Sequence, residues 1–486
     1  MKDFNYYLDT IGEIGFVEEM VHSLVYASGL PKGHPGEVVL FESGDLGQVL
    51  SLSRDQIEVL LLTNTHIQVG SKLVRTGEHL QVPVGMGLLG RTIDPLGRAV
   101  DKLKPISFQE LRSVDVVPPK IVERLEVAKP LETGVSLVDL VVPLGKGQRE
   151  LIIGDRKTGK TDFLLQTLTT QAILGTICIY AQIGQKRGDI ATLTQFFEEN
   201  SLIEKTIQVA SNSSDPSGII FLTPYTAMTL AEYFKEQGMD VLLILDDMTT
   251  HARNYREISL LARRFPGRGS YPGDIFYVHS RLIERAGNFK KGSITLLPVA
   301  ESLLGDLSGY IQTNLMAMTD GHIFFDIELY NEGKRPPVNP FLSVTRVGHQ
   351  TQTPLLRDIS RELSSFLVKY ERMKEFIHFG AEVGEEARKV LSLGTKVDLF
   401  FNQGTLVNVA IPLNLVILSG LWAGIWNETK DTDLRFEIEQ LVLSYQTKEP
   451  FKKEVDSLVL TSVTFEELVT YIRRNNHFLL SVITRQ

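Results

Sequence analysis

Gly154-Asp-Arg-Lys-Thr-Gly-Lys160-Thr161 spaces two glycines, a lysine and a hydroxyl as G-x-x-x-x-G-K-[ST]. Each residue type has a task at a phosphate group. The glycines let successive backbone N–H groups curl around phosphate oxygens, and the amino end of a following helix adds partial positive charge. The Lys160 ammonium would reach the β- and γ-phosphates, and the Thr161 hydroxyl would ligate magnesium. The whole loop, Gly154, Asp155, Arg156, Lys157, Thr158, Gly159, Lys160 and Thr161, is therefore the candidate nucleotide site. A chance glycine loop lacks flanking elements. Here an apolar run, Glu150-Leu-Ile-Ile153, leads into the loop and a helical run from Asp162 to Leu174 leaves it. The same chemistry asks for an acid at the end of a second apolar strand, and Val241-Leu-Leu-Ile-Leu245 runs into Asp246-Asp247. Asp246 is the better candidate to hold the metal, directly or through water, with Asp247 beside it.

A phosphate loop needs a sheet behind it. From residue 93 to 353, apolar strands such as Ile177-Cys-Ile-Tyr180 and Val241–Leu245 alternate with helical stretches, the pattern of βαβ units and a mostly parallel sheet. Residues 1–92 read differently. Gly36-Glu-Val-Val-Leu-Phe41 and Ile57-Glu-Val-Leu-Leu-Leu62 are short β-rich runs punctuated by Gly44, Gly47 and Gly70, as in a small barrel or sandwich. Residues 354–486 turn helical: Leu355, Ile359, Leu363, Leu367 and Tyr370 recur at helical spacing, and further helices are expected over 383–393, 412–426, 433–445 and 464–474. The expected fold is thus a multidomain α/β chain. An N-terminal β-barrel domain precedes a P-loop nucleotide-binding domain, and a C-terminal helical domain follows.

Composition narrows the partners. The 486 residues suggest about three domains, and 43% apolar against 22% charged residues is ordinary for globular cores. A net charge of −9 lacks the basic footprint of a nucleic-acid binder. Cys178 is the single cysteine, so neither an intramolecular disulfide nor a zinc cluster can form, and its apolar neighbours mark a buried strand. The first residues show no basic-then-apolar targeting pattern. The longest apolar stretch, Leu413 to Trp426, is broken by Asn414, Ser419 and two glycines and falls short of the ~20 residues that span a bilayer. Work at a membrane would need another anchor.

Several longer motifs carry a family resemblance. Gly147-Gln-Arg-Glu-Leu-Ile-Ile-Gly-Asp-Arg156, Ile183-Gly-Gln-Lys-Arg187, Tyr271-Pro-Gly-Asp274 with His279-Ser-Arg-Leu282, and Leu342-Ser-Val-Thr-Arg-Val-Gly348 resemble the alpha subunit of F-type rotary ATP synthases. Arg75-Thr-Gly77, Val82-Pro-Val-Gly85 and Leu88-Leu-Gly-Arg91 resemble the end of that family's N-terminal barrel, and the likeness runs in order from about residue 10 to 475. The resemblance implies a barrel, a RecA-like core and a helical bundle. It implies a regulatory, non-catalytic subunit of a proton-translocating synthase that binds ATP or ADP with Mg2+. Its partners would be beta-type catalytic subunits in an alternating hetero-hexamer, a gamma-type central stalk and a delta-type peripheral stalk subunit. The chain would sit as a peripheral protein on the cytoplasmic side of the cell membrane, or the equivalent inner-membrane face, touching the membrane only through the ion-translocating sector.

The resemblance also assigns residues. In beta subunits a glutamate orients the attacking water, and the matching position here is Gln185, which lacks a carboxylate's basicity and charge. Arg346 matches an arginine that enters the neighbouring beta site, with Ser343 in the same motif shaping the loop. Tyr330 and Arg335 match an aromatic and an arginine near the adenine, and Gln403 matches the first of two glutamines facing the base. Thr405 replaces the second, which implies looser base recognition. Lys157 stands where the family usually has glutamine, His349-Gln-Thr351 follow Arg346 in place of small residues, and Phe265 and Gly269 alter the loop before Tyr271. Only about ten residues precede the barrel, so the longer arm that meets the stator in typical members is expected to be missing. These departures leave room for a specialised paralogue.

Other readings make different demands. A self-sufficient catalytic ATPase of the same superfamily, beta-like or secretion-type, needs a glutamate where Gln185 stands. An RNA-translocating hexamer needs basic, aromatic-bearing pore loops, which an acidic chain with two tryptophans does not offer. A nucleotide-binding structural protein without rotary partners needs no trans-acting arginine.

Overall fold

The computed structural model describes residues 2–63, 67–101, 103–378 and 384–483. A short helix, Phe4–Ile11, is followed by six antiparallel strands: β1 (Ile14–Val21), β2 (Leu24–Ser28), β3 (Glu37–Phe41), β4 (Leu46–Leu52), β5 (Ile57–Leu61) and β6 (Lys72–His79). They pair in the order β1-β2-β5-β4-β3-β6, and β6 returns to β1 with Ile14 opposite Val74. Closure makes this a barrel and leaves no sandwich edge. Val17, Val25, Val39, Phe41, Val49, Val59 and Leu73 fill its interior.

The central sheet joins β7 (Thr92–Ile93), β8 (Leu151–Gly154), β9 (Ile177–Gln185), β10 (Thr206–Asn212), β11 (Asp240–Asp246), β12 (Ser293–Glu301), β13 (Gly321–Phe325) and β14 (Val344–Thr345). Their order across the sheet is β14-β13-β8-β12-β11-β9-β10-β7. Among these eight strands the pairings are parallel except at the edge, where β14 runs against β13, and the two-residue strand Gly287–Asn288 also pairs antiparallel with the start of β12. Both faces are covered, so the strands read as unbroken apolar runs rather than alternating ones. Side chains nevertheless divide by the strand's period of two. Leu151, Ile153, Ile177, Ile179, Leu243 and Leu245 pack on one face with Ala227, Met228 and Leu230 of α2 (Ser217–Glu236). Ile152, Cys178, Tyr180, Leu242 and Ile244 pack on the other with Phe163, Leu164 and Leu168 of α1 (Lys160–Ile173). Cys178 is fully buried, as its neighbours indicated, and burial pushes its thiol well above the ordinary range.

That second face continues without a break into the C-terminal helices. Pro354–His378, Glu385–Phe401, Ile411–Ala423, Asp431–Thr447, Glu449–Thr461 and Phe465–Arg474 form the helical part among the described residues. The first residue of the helix expected over 383–393 lies outside the described residues, and the observed helix extends further, to Phe401. The helix Glu449–Thr461 has no counterpart in the sequence reading: charged residues occupy much of it, and only Phe451, Val455 and Leu458 are buried. Ile411–Ala423 is the reverse case, buried almost all round from Leu413 to Leu421. The chain's longest apolar stretch is therefore the centre of a bundle, and among the described residues no helix is long and apolar enough to cross a membrane.

Candidate functional site

The phosphate loop sits where parallel strands end and helices begin. Glycine is required at 154, because a Cβ there would lie 2.5 Å from the Phe325 carbonyl oxygen on β13. Gly159 precedes α1 at φ 83°, a left-handed conformation that disfavours side chains, and Lys157 takes the same region at φ 62°. The Thr158 hydroxyl donates to the Asp155 carbonyl at 2.8 Å and braces the turn. The Lys160 ammonium donates to the carbonyls of Gly154 at 2.8 Å and Asp155 at 2.5 Å, so it lies across the loop. Burial lowers its pKa, opposed by the charges of Glu301, Asp246, Asp247 and Asp155.

Those four acids are all engaged. The Asp155 carboxylate accepts from the Ser302 hydroxyl at 2.5 Å and the Gly305 amide, facing the neighbouring loop. Asp246, at the end of β11, accepts from the Tyr180 hydroxyl at 2.8 Å. Burial pushes it up to about 6 with help from Asp247, while Tyr180 and Lys160 oppose the shift. Asp247 caps α3 (Met248–Leu261) by accepting from the Thr250 amide. Glu301 ends β12 in register with Gly154. It binds Arg156 through both oxygens, at 2.7 and 3.1 Å, and Arg253 at 3.1 Å. Burial works upward on Glu301, but the two arginines outweigh it and hold the carboxyl below its usual range. Arg156, at 72% side-chain exposure, thus leans outward on this carboxylate.

Glu301 is a site residue that no sequence motif marked. Its signal was present: an apolar strand, Ser293 to Ala300, ends in an acid just as β11 ends in Asp246. Only strand order places it beside the loop.

Gln185, at the end of β9, points its amide nitrogen at the Asp246 carbonyl, 3.5 Å away. Exposed Thr161 begins the second position of α1. Among the described residues no group of three His, Cys, Asp or Glu side chains could hold a metal alone. A hydroxyl from Thr161 and a hard carboxylate oxygen from Asp246 fit magnesium, which takes few protein ligands and completes its shell with phosphates and water. Such an ion would neutralise phosphate charge.

A buried histidine pair holds α3 in place behind these acids. His251 Nε2 lies 3.0 Å from the Phe221 carbonyl, and His251 Nδ1 lies 3.0 Å from Nε2 of His279 on α4 (Ile275–Ile283). A carbonyl only accepts, so His251 donates from Nε2 and accepts at Nδ1 from His279. His279 Nδ1 is left as a buried acceptor with no partner. Burial pushes His251 down to about 4, against the pull of the Phe221 carbonyl, and holds His279 well below its ordinary range, with His251 adding to it. Unfolding releases both rings to about 6.5. Their contribution to stability is therefore complete above pH 6.5 and is lost as pH falls toward 4. His251→Gln should flatten the pH dependence of unfolding free energy over that window by up to ~1.4 kcal/mol per pH unit, one proton's worth. Urea titrations at a series of pH values check this; parallel profiles for wild type and variant would place the acid sensitivity elsewhere.

In the segment that the resemblance sets near the adenine, the Arg335 guanidinium lies over the Tyr330 ring at 3.8 Å and donates to the carbonyls of Tyr330 and Lys334. The Gln403 side chain is held by backbone: Oε1 accepts from the Ser136 amide at 3.0 Å, and Nε2 donates to the carbonyls of Gly134 at 2.6 Å and Val407.

Arg346 and Ser343 lie elsewhere. The Ser343 hydroxyl accepts from the Phe324 amide and donates to the Asn339 carbonyl, pinning the loop against β13. Arg346 follows β14, whose Thr345 pairs with Gly321 at the start of β13, whereas Gly154 pairs with Phe325 at its end. At ~3.3 Å per residue, the strand separates the two by about 13 Å. The exposed Arg346 guanidinium makes one long bond, 3.4 Å to the Thr319 carbonyl, and no ion pair among the described residues. The structure thus gathers the phosphate loop, Gln185 and Asp246 at the carboxyl ends of the strands, sets the 330–335 and 403 segments beside α1, and leaves Arg346 at the opposite end. A cleft of about 1160 Å3, bordered by Arg98, Asp101 and Arg187, lies away from the phosphate loop.

The chain is similar to known proteins of one family. Residues 134–345 match the family described as ATP synthase alpha/beta family, nucleotide-binding domain. Over 445 residues the chain is 39% identical to ATP synthase subunit alpha 2 of Syntrophotalea carbinolica, covering 90% of this chain and 85% of that one. It is 42% identical over 399 residues to ATP synthase subunit alpha of Dictyoglomus thermophilum, 81% and 78% of the two chains, and 37% identical over 459 residues to that of Neorickettsia sennetsu, 92% and 90%.

Proposed function

Because the chain belongs to the ATP synthase alpha subunit family, we propose that it is the regulatory, non-catalytic nucleotide-binding subunit of an F-type, proton-translocating synthase. It binds ATP or ADP with magnesium through Gly154–Thr161 and Asp246, and it lends Arg346 to the site of a neighbouring beta-type subunit. The assembly is an alternating hetero-hexamer around a gamma-type stalk, with a delta-type subunit at the stator. It meets the membrane only through the ion-translocating sector, on the cytoplasmic or equivalent face.

The observation that carries the non-catalytic reading is the amide at Gln185 beside Asp246. A glutamine can hydrogen-bond a water but lacks the basicity and charge that a carboxylate brings to the hydrolytic transition state. The four carboxylates acting on Lys160 are already bound by Ser302 and Gly305, by Tyr180, by Thr250, and by Arg156 and Arg253. A self-sufficient ATPase would have to release one of them. The purified chain is accordingly expected to bind magnesium-ATP with little turnover. Steady phosphate release above ~1 s⁻¹ from material free of partner subunits would sink the non-catalytic reading.

A further inference from the structure

Glu150, Gly321 and Thr345 lie level across the sheet. Glu150 stands one place before the pair Leu151–His322 of β8 and β13, and Gly321 pairs with Thr345 of β14. Side chains at level positions point to one face. Glycine leaves the middle place empty, since a Cβ at 321 would lie 2.7 Å from both Glu150 carboxylate oxygens. The Glu150 side chain therefore crosses β13 toward the segment that carries Arg346.

Gln148 completes the crossing. Its amide nitrogen donates to Glu150 Oε2 at 2.7 Å and to the Thr345 hydroxyl at 3.0 Å. That hydroxyl also accepts from the Gly348 amide at 3.0 Å and donates to the Pro143 carbonyl at 3.1 Å. Its one proton and two lone pairs are then all used. The chain on both sides of Arg346 is thus tied to Glu150, while the guanidinium stays exposed. Glu150 itself is fully buried, and its Oε1 has no hydrogen-bond partner among the described residues. A buried acid with an open oxygen costs stability, so packing alone does not account for it. Burial pushes this carboxyl well above the usual range; the Gln148 amide opposes the rise, Asp320 adds to it, and the Arg346 charge opposes it. Asp320 is no rival partner for Arg346, because the Arg149 guanidinium takes both its oxygens.

We infer that Glu150 is a positioning residue for Arg346. Through Gln148 and Thr345 it fixes the segment that presents the guanidinium, and it is the acid left free to balance that charge. The inference rests on the proposed trans role of Arg346.

The test is a double-mutant cycle in the complex reconstituted with a beta-type subunit, reading kcat and KM of multi-site hydrolysis. Glu150→Met keeps the length of the side chain and removes both the acceptor and the charge. It is expected to lower kcat at least about tenfold, the effect of one hydrogen bond to a charged group, with KM for ATP within about twofold. Glu150→Gln keeps an oxygen for Gln148 and loses only the charge, so its loss should be smaller, though still above about twofold. In the Arg346→Ala background neither variant should cost more than about twofold, because a residue acting through Arg346 has nothing left to position. Equal losses in both backgrounds would mean that Glu150 serves only the fold, and an unchanged kcat in Glu150→Met would also overturn the inference. Should the methionine variant fail to assemble, the glutamine variant decides by the same comparison. Full turnover with Arg346→Ala alone would refute the trans role, and the positioning role with it.

Discussion

Arg346→Ala, in a complex reconstituted with a beta-type subunit, is expected to reduce multi-site hydrolysis by at least ~10³ while assembly and nucleotide binding on this chain persist. A trans-acting guanidinium at a transferring phosphoryl group contributes ~10³–10⁵ in rate, or roughly 4–7 kcal/mol of barrier. The fold of this chain should tolerate the change. The Arg346 side chain is exposed and its one hydrogen bond is long, while its backbone N–H, which bonds the Asp320 carbonyl at 2.9 Å, survives in alanine. Surface substitutions of this kind usually shift stability by no more than ~0.5 kcal/mol. Arg346→Lys should not restore activity, because an ammonium cannot reproduce the planar fork that grips two phosphate oxygens. The measurement is steady-state turnover of the assembled complex, with nucleotide content of this chain determined in parallel. Retention of most of the turnover in the alanine variant would refute the trans role, and a divergent or structural function would then account better for the chain.

Lys160→Ala should show the opposite pattern, with nucleotide affinity at this chain's own site falling more than chemistry at the neighbour's. A hydrogen bond to a charged group contributes about 1.5–3 kcal/mol, or roughly 10- to 150-fold in Kd. The upper end is expected here. Asp155, Asp246, Asp247 and Glu301 all act on the Lys160 ammonium, so its removal leaves a triphosphate facing uncompensated acids. Titration with a fluorescent nucleotide reads the change, and unchanged affinity would mean that the loop is not the binding site. The pair of variants dissociates binding from trans catalysis, since the two residues lie at opposite ends of the sheet.

The phosphate loop was legible from sequence because its chemistry is local. Eight consecutive residues supply the glycines, the cation and the hydroxyl, and the flanking strand and helix announce themselves by periodicity. The same holds for Asp246, at the end of an apolar run, and for the three-part architecture, in which the hydrophobic period changes from short strands to βαβ units to helices. The helix Glu449–Thr461 escaped although Phe451, Val455 and Leu458 recur at helical spacing, because Pro450 and the charged residues between them read as a break, and the short β-rich runs alone fit barrel or sandwich, which the pairing of β6 with β1 decides.

What only the tertiary structure decided are the contacts made by residues far apart in the chain, because strand order and side-chain direction, not spacing, bring them together. Glu301 reaches the loop because β12 lies beside β8, and it commits Arg156 outward. His251 and His279 meet because α3 and α4 pack on one face, leaving an acceptor that no periodicity would reveal. The resemblance placed Gln403 near a base, but its three polar contacts to residues 134, 136 and 407 depend on how the helical domain meets the turn that leads into the short helix Ser136–Val141. Arg346 lies about 13 Å of strand from the phosphate loop, since β13 runs between the two sites and a rigid strand cannot fold back.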